Sequence, residues 1–236
     1  MLTEAQGRMF DHAGRSDDPQ ALGAALADFV EVRALRATLQ SVVEDSDAIA
    51  AIAKRSYRHD NGFWKIVLKE TDAYKLRLHI WRSSGIERSE EKNKRANIHN
   101  HRWNFSSVIL SGCYEQEIFE QTEDIVDSFP VHSYTYEPDH EKSEEHLFER
   151  GLARLRLVSR SMYTKSQQVT LSAATLHRVV TCAGVTTASL FVSGDATRSS
   201  TTVYNEHQAV ILDAALEKRL TAEDVTVGLN TVLDVL

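Results

Sequence analysis

Between Phe63 and Tyr204 the chain is a series of short segments rich in β-branched and aromatic residues: FWKIVLK, YKLRLHIW, SSVILSG, CYEQEIFE, ARLRLVSRSMY, QQVTL, HRVVT and TTASLFVSG, separated by turns. Many short strands at close spacing predict an all-β sandwich or barrel. No long helical stretch alternates with them, which argues against a Rossmann or TIM-barrel plan.

The flanks carry a different period. Asp18-Pro19 is a helix start, an N-cap carboxylate followed by Pro at the first helical position. Leu22, Ala25, Leu26, Phe29 and Val30 then fall on one face. Leu35, Leu39, Val42 and Val43 continue helical spacing, and a further helix is expected from Asp45 to about Tyr57, with Ile49, Ile52 and Ala53 on one side. Asn61-Gly62 breaks the pattern. Near the C-terminus, Thr221 and Asp224 form a capping-box-like start, followed by a stripe of Val225, Leu229, Val232, Leu233 and Leu236. The expected plan is an N-terminal helical extension over 1–60, a β-barrel over 61–204 and C-terminal helices over 205–236. Ser83–Asn97 is charged throughout, and Gln121–Arg150 is acidic and carries His132, His140 and His146. Both read as solvated loops.

A chain of 236 residues with 42% hydrophobic content suffices for one sizeable core. No run of about 18 apolar residues occurs, so no membrane span is expected. The N-terminus has no apolar core of a secretory signal. A net charge of −7 argues against a nucleic-acid partner. The two cysteines, Cys113 and Cys182, cannot make a disulfide framework. A reducing cytoplasm is the expected location, with Cys113 as a small buried hydrophobe.

Histidine carries the candidate chemistry. In a strand, residues i and i+2 share a face, so His99 and His101 project two imidazoles into one space, as a shared metal ion requires. Gly112 follows after a β-like run, and His177 opens another strand. His12, His59 and His207 have no partner at useful spacing and read as surface or capping residues.

These residues resemble the first cupin motif, G-x5-H-x-H-x3-4-E-x6-G. His99, His101 and Gly112 match it, while Asn93 stands at the first Gly and Phe105 at the Glu. In the second motif, G-x5-P-x-G-x2-H-x3-N, His177 matches. Ser166, Ser172, Ala174 and Thr181 stand at the Gly, Pro, Gly and Asn. The likeness covers about 130 central residues. YKLRLHIW, NIHNH, LSG, LHRV and ASLFVSG are similar to cysteine dioxygenase and related thiol dioxygenases, cupins that bind iron with three His and lack the Glu. The cross-linked cysteine and tyrosine of that branch are absent at the matching places. Its Ser-His-Tyr triad falls on Ser189, Phe191 and Ser193, and its carboxylate-binding arginine near Trp64 or Lys65.

The resemblance implies a mainly β protein, a cupin double-stranded β-helix (jelly-roll barrel) with helical extensions, and metal ligands His99, His101 and His177. It further implies a mononuclear metal, with Fe(II) first and Zn, Mn or Ni as alternatives, and a homodimer. The activity implied is a dioxygen-using oxidoreductase acting on a small polar, anionic amino- or thiol-acid-like molecule. Redox-neutral metal catalysis and a non-catalytic metabolite-binding cupin are the other readings.

The resemblance also turns Arg77, His79 and Trp81 inward. Arg77 then suits a carboxylate and His79 a proton-carrying role near neutral pH; the alternative faces Arg77 and His79 to solvent. Trp103 and Phe105 would wall the site, and Tyr163 is a candidate donor. Asn97, Asn104 and Ser172 are candidates to orient the ligand rings. Glu115 and Glu117 read as a solvent-facing stripe.

Overall fold

The computed structural model describes residues 2–31, 34–59, 61–83, 97–139, 144–207 and 218–236. Four helices come first: α1 (Glu4–Gly14), α2 (Pro19–Glu31), α3 (Ala34–Val43) and α4 (Ser46–Ala53). Local chemistry starts each described cap. Thr3 and Gln6 exchange side-chain-to-backbone hydrogen bonds at α1, Asp18 accepts from Gln20 N at α2, and Asp45 accepts from Asp47 N and Ala48 N at α4. At the other end, Thr221 and Asp224 close the predicted capping box on α5 (Ala222–Leu233).

Helix α4 ends sooner than its spacing predicts. Ser56 Oγ donates to Ile52 O and accepts from Val67 N, and Arg55 donates to the Val67 and Leu68 carbonyls. These bonds tie the helix end to a strand, and Tyr57–His59 becomes strand β1 instead of a last helical turn.

The β-core follows as β2 (Phe63–Glu70), β3 (Lys75–Trp81), β4 (Ile98–His99), β5 (Trp103–Ser111), β6 (Cys113–Gln121), β7 (Ser128–Asp139), β8 (Glu144–Thr164), β9 (Gln168–Leu171), β10 (Leu176–Thr181), β11 (Thr187–Ala196), β12 (Thr201–Asn205) and β13 (Lys218–Arg219). One sheet has the order β13-β1-β2-β3-β11-β5-β9. The other, β10-β4-β12-β7-β8-β6, closes on itself. From β3 to β6, and again from β8 to β12, each strand lies in the opposite sheet from its predecessor. The four neighbours β3-β11-β5-β9 face β4-β10-β6-β8, which is the double Greek key of a jelly roll. The fold is therefore a cupin-type double-stranded β-helix, mainly β, with helical extensions at both ends.

The open sheet is buried on both faces, which explains the apolar density of its strands. Its outer face, including Ile66, Leu76, Leu78, Ile80, Val108, Leu190 and Val192, packs under Leu22, Leu26, Phe29, Leu39, Ile49, Val225 and Leu229 of the helices in one continuous core. Each such side chain contributes about 2 kcal/mol by leaving water. The inner face is thereby committed to the barrel interior.

The segment read as a solvated loop, Gln121–Arg150, is largely a hairpin. β7 pairs with β8 along its length, from Ser128↔Arg156 to Asp139↔Glu144. His132 lies 3.9 Å from Glu149; the side chains of His140 and His146 lie outside the described residues, as does nearly all of Ser83–Asn97. Because β7 also pairs with β12, the second sheet rolls into a ring around Ile98, Phe119, Val131, Leu155 and Tyr204. Glu117 is 2% exposed rather than solvent-facing: it points to the ring side, where Arg178 Nε and Arg160 Nη2 each donate to it at 2.6 Å. Glu115 stays at the surface beside Arg160.

No described helix is long and apolar enough to cross a membrane. The two cysteines correct their sequence reading. They lie one register step beyond Thr181↔Tyr114 at the end of the β6–β10 pair, Cα–Cα 6.0 Å apart, and are joined as a disulfide.

Candidate metal centre

His99 and His177 are directly opposite each other across the β4–β10 pair, and His101 follows two residues on from His99. Backbone bonds hold this short stretch. Asn100 N donates to Thr202 O, Thr202 N donates to Asn100 Oδ1, and His101 N donates to Ala173 O. The three rings consequently converge, with centroids 4.8–5.1 Å apart. One nitrogen from each lies within 4.8 Å of the others, and His101 Nε2 is 3.0 Å from His177 Nε2.

The far side of two rings is also held. His99 Nδ1 donates to the Asn97 carbonyl at 2.9 Å, which leaves its Nε2 lone pair free. His177 Nδ1 is 2.7 Å from the side-chain amide of Gln116. As placed, the amide nitrogen faces Nδ1 and also donates to the Arg178 carbonyl at 3.4 Å; a metal on Nε2 requires the half turn that brings the amide oxygen to the ring and the proton to Nδ1. Of the residues expected to orient the rings, Asn97 does so through its backbone. Asn104 instead binds Asp17 O and Ala173 N, and Ser172 binds Thr175. Gln116 was missed, although its place on β6, alternating with the two glutamates, turns it inward.

Burial pushes the pKa of all three imidazoles below the ordinary histidine range, in His101 and His177 helped by neighbouring histidines. The rings are therefore neutral, the form in which imidazole binds a metal.

The inner face of the open sheet forms the opposite wall. Arg77 and His79 are 4% and 8% exposed and face the interior, not solvent. The Arg77 guanidinium lies 5.5 Å from the Trp103 and Phe191 ring centroids. His79 packs against Phe63 and Phe191 at 4.5 and 4.7 Å, with Trp81 edge-on at 6.0 Å. Its pKa is driven well below the usual value by burial first and by Lys65, Arg77 and His59 second. At neutral pH it is uncharged, with its Nε2 buried and unpaired.

Phe105 stands 5.0 Å from His101 and 5.4 Å from His177, and Trp103 stacks on His101 at 5.8 Å. Both rings lie against the three-histidine cluster. Tyr163 packs against Tyr114, at the Trp81 end of the interior. His59, read as a surface or capping residue, is half-buried, and its Nδ1 accepts from Asn61 N in the turn that follows. Strand β1 turns it inward onto Phe63 at 4.5 Å, and burial drives its pKa down, with Lys65 and His99 adding to the effect. The Tyr57/His59 alternation was its signal, hidden by the extended helix assignment. Lys65 donates to Tyr57 Oη.

No protein-family model matches the chain, and no curated protein matches it. Among solved structures, hydroquinone 1,2-dioxygenase PnpCD, in complex with Cd2+ and 4-hydroxybenzonitrile, is 11% identical over 63% of this chain and 72% of its own, with a TM-score of 0.34. An RmlC-like cupin from Shewanella frigidimarina is 10% identical over 60% and 84%, at 0.32. The polyketide cyclase RemF from Streptomyces resistomycificus is 13% identical over 66% and 81%, at 0.33. At this distance the fold assignment rests on the strand order and interleaving described above.

Proposed function

We propose that the protein is a mononuclear non-haem metal oxygenase in which His99, His101 and His177 bind one divalent ion, with Fe(II) as the working metal and a small polar, anionic, amino- or thiol-acid-like metabolite as substrate. The convergence of the three imidazoles carries this reading. Two nitrogens bound at a right angle, each about 2.1 Å from one ion, are about 3.0 Å apart. His101 Nε2 and His177 Nε2 have that separation. Three neutral ligands also leave the ion its full charge and open positions for substrate and dioxygen. When bound, the metal supplies a site where substrate and oxygen meet and exchange electrons.

The chain's own residues do the rest. The Asn97 carbonyl holds the tautomer of His99, and Gln116, once its amide oxygen turns to the ring, would hold that of His177. Phe105, Phe191 and Trp103 exclude water, so charge interactions inside act at low dielectric. Arg77 supplies a fixed positive charge on the facing wall; burial lowers its pKa to about 10, so it stays protonated at neutral pH.

The test is metal analysis of anaerobically purified protein, followed by oxygen-uptake assays with amino, thiol and hydroxy acids. The expected result is one Fe(II) per chain, lost in His99→Ala and His177→Ala, with oxygen consumed in step with one acid. A full metal complement in His177→Ala rejects the ligand assignment, and undiminished anaerobic turnover rejects the oxygenase reading in favour of redox-neutral catalysis.

A further inference from the structure

Among the described residues, the buried side-chain atoms left without a hydrogen-bond partner are Arg77 Nε, His79 Nε2, Trp103 Nε1, Ser189 Oγ and Ser193 Oγ. Buried polar atoms in proteins are nearly always paired, because an unpaired one costs about 1–3 kcal/mol. Their placement is not scattered. All belong to the adjacent strands β3, β11 and β5, and all face the interior. The alternate residues Leu76, Leu78, Val108, Leu190 and Val192 face the helices.

Strand register divides them into two groups. His79 and Ser189 are directly opposite. Ser193 lies between Lys75 and Phe105, one inward position from Phe191, which is itself opposite Arg77. Trp103 is the next inward residue along β5 from Phe105. The Arg77 side chain reaches across β11 toward Trp103, with its guanidinium 5.5 Å from that ring. Ser193 therefore lies beneath the span from Arg77 to Trp103, and Trp103 stacks on His101.

The chemistry of this second group is one-sided. A guanidinium and an indole N–H only donate, and a serine hydroxyl does either. Arg77 Nε has no hydrogen-bond partner, and Tyr57 and Glu70 act on the guanidinium through space. The buried carboxylate of the opposing sheet, Glu117, is turned to the other face and held by Arg178 and Arg160.

We propose that Arg77, Trp103 and Ser193 form an oxyanion subsite beside the three histidines, and that it selects a small organic acid whose negative charge is not balanced by an ammonium group. This narrows the reading above to its thiol-acid-like members, since amino acids carry an ammonium group, and rests on it only for the neighbouring ion. The acceptor oxygens of the ligand satisfy the donors that the fold leaves unpaired. An ammonium group on the same ligand would find a cationic, acceptor-poor wall.

Anion binding is read on the full chain after metal removal, by calorimetric titration with propionate, its neutral isostere propionamide, and the zwitterion β-alanine. Propionate is expected to bind at least about tenfold more tightly than either, the difference one charged hydrogen bond makes. Arg77→Gln should lose that advantage, Arg77→Lys should keep part of it, and Trp103→Phe should weaken propionate without changing propionamide. The comparison of the three ligands on the wild-type protein needs no variant and stands if Arg77→Gln fails to fold. Equal binding of propionate and propionamide overturns the subsite, and equal binding of β-alanine overturns the selection against zwitterions. Reloading the same protein with Fe(II) separates the two readings. Propionate binding without metal uptake sinks the metal assignment alone, and metal uptake without propionate binding sinks the subsite alone.

Discussion

Replacing Gln116 with leucine isolates what a single amide contributes to the metal centre. His177 is 4% exposed, and its Nδ1 has the Gln116 amide as partner at 2.7 Å. With a metal on Nε2, the proton must sit on Nδ1, and Gln116→Leu leaves that N–H buried and unpaired. Without metal the ring can switch tautomer and share a proton with His101, whose Nε2 is 3.0 Å away. The penalty therefore falls on the bound state. An orphaned buried donor costs about 1–3 kcal/mol, which corresponds to about 10–100-fold in metal affinity, the usual effect of losing a partner of a ligating histidine. Chelator competition with Fe(II) or Co(II) measures it, and a urea melt of the metal-free protein shows whether the fold is intact. Gln116→Glu, with a stronger acceptor toward Nδ1–H, should restore most of the affinity. Gln116→Leu binding metal within about twofold of wild type, with normal folding, would refute the reasoning.

Acid should destabilise the metal-free protein steeply. Burial holds His59, His79, His101 and His177 well below the ordinary histidine pKa, so they are neutral in the fold and take up protons on unfolding. Their contribution is present above the unfolded value of about 6.5 and is lost as pH falls below it, at up to about 1.4 kcal/mol per pH unit for each. Urea midpoints at pH 7, 6 and 5 should fall accordingly, and a flat profile contradicts the burial of these rings. Arg178→Ala removes the main partner of the Glu117 carboxylate inside the ring and should cost about 3–5 kcal/mol in chemical denaturation; a loss below about 1 kcal/mol would mean the pair is solvated. Gly112, at φ +71, turns β5 into β6, and a Cβ there would sit 2.6 Å from Thr186 O and 2.8 Å from Thr187 Cα. Gly112→Ala combines that clash with left-handed strain of about 1–2 kcal/mol and should lower the melting temperature by several degrees; an unchanged melting curve would mean the turn relaxes freely.

How far the candidate site could be read in advance depended on whether its determinants were local. The alternation in His99-x-His101 is a property of one short extended segment, and it sends both rings to one side whatever surrounds them. His177 sits near the start of a segment whose β-pattern is plain, so its convergence with the other two needed only the fold. Gln116 belongs to the same alternation as Glu115 and Glu117, yet nothing along the chain says that its face meets a histidine. His59 was hidden by a helical pattern that Ser56 and Arg55 cut short through bonds to β2, contacts made eleven to thirteen residues away. Glu117 and the β7–β8 hairpin misled for a related reason. An acidic, histidine-bearing stretch looks solvated until the second sheet closes and supplies arginines to its carboxylate.

Short-range physics thus settled what the residues next to one another can settle. The caps at Asp18 and Thr221, the apolar stripes of α2 and α5, the two-residue period from Phe63 onward and the shared face of His99 and His101 all follow from backbone geometry and burial over a few positions. Tertiary structure alone decided which face of YKLRLHIW is inside, that Cys113 meets Cys182, and that five unpaired polar atoms gather on one wall. Those outcomes depend on strand pairing between segments tens of residues apart and on helices covering one side of a sheet. A sheet with both faces buried gives each strand two apolar environments, and only the packing partner distinguishes the core from the pocket.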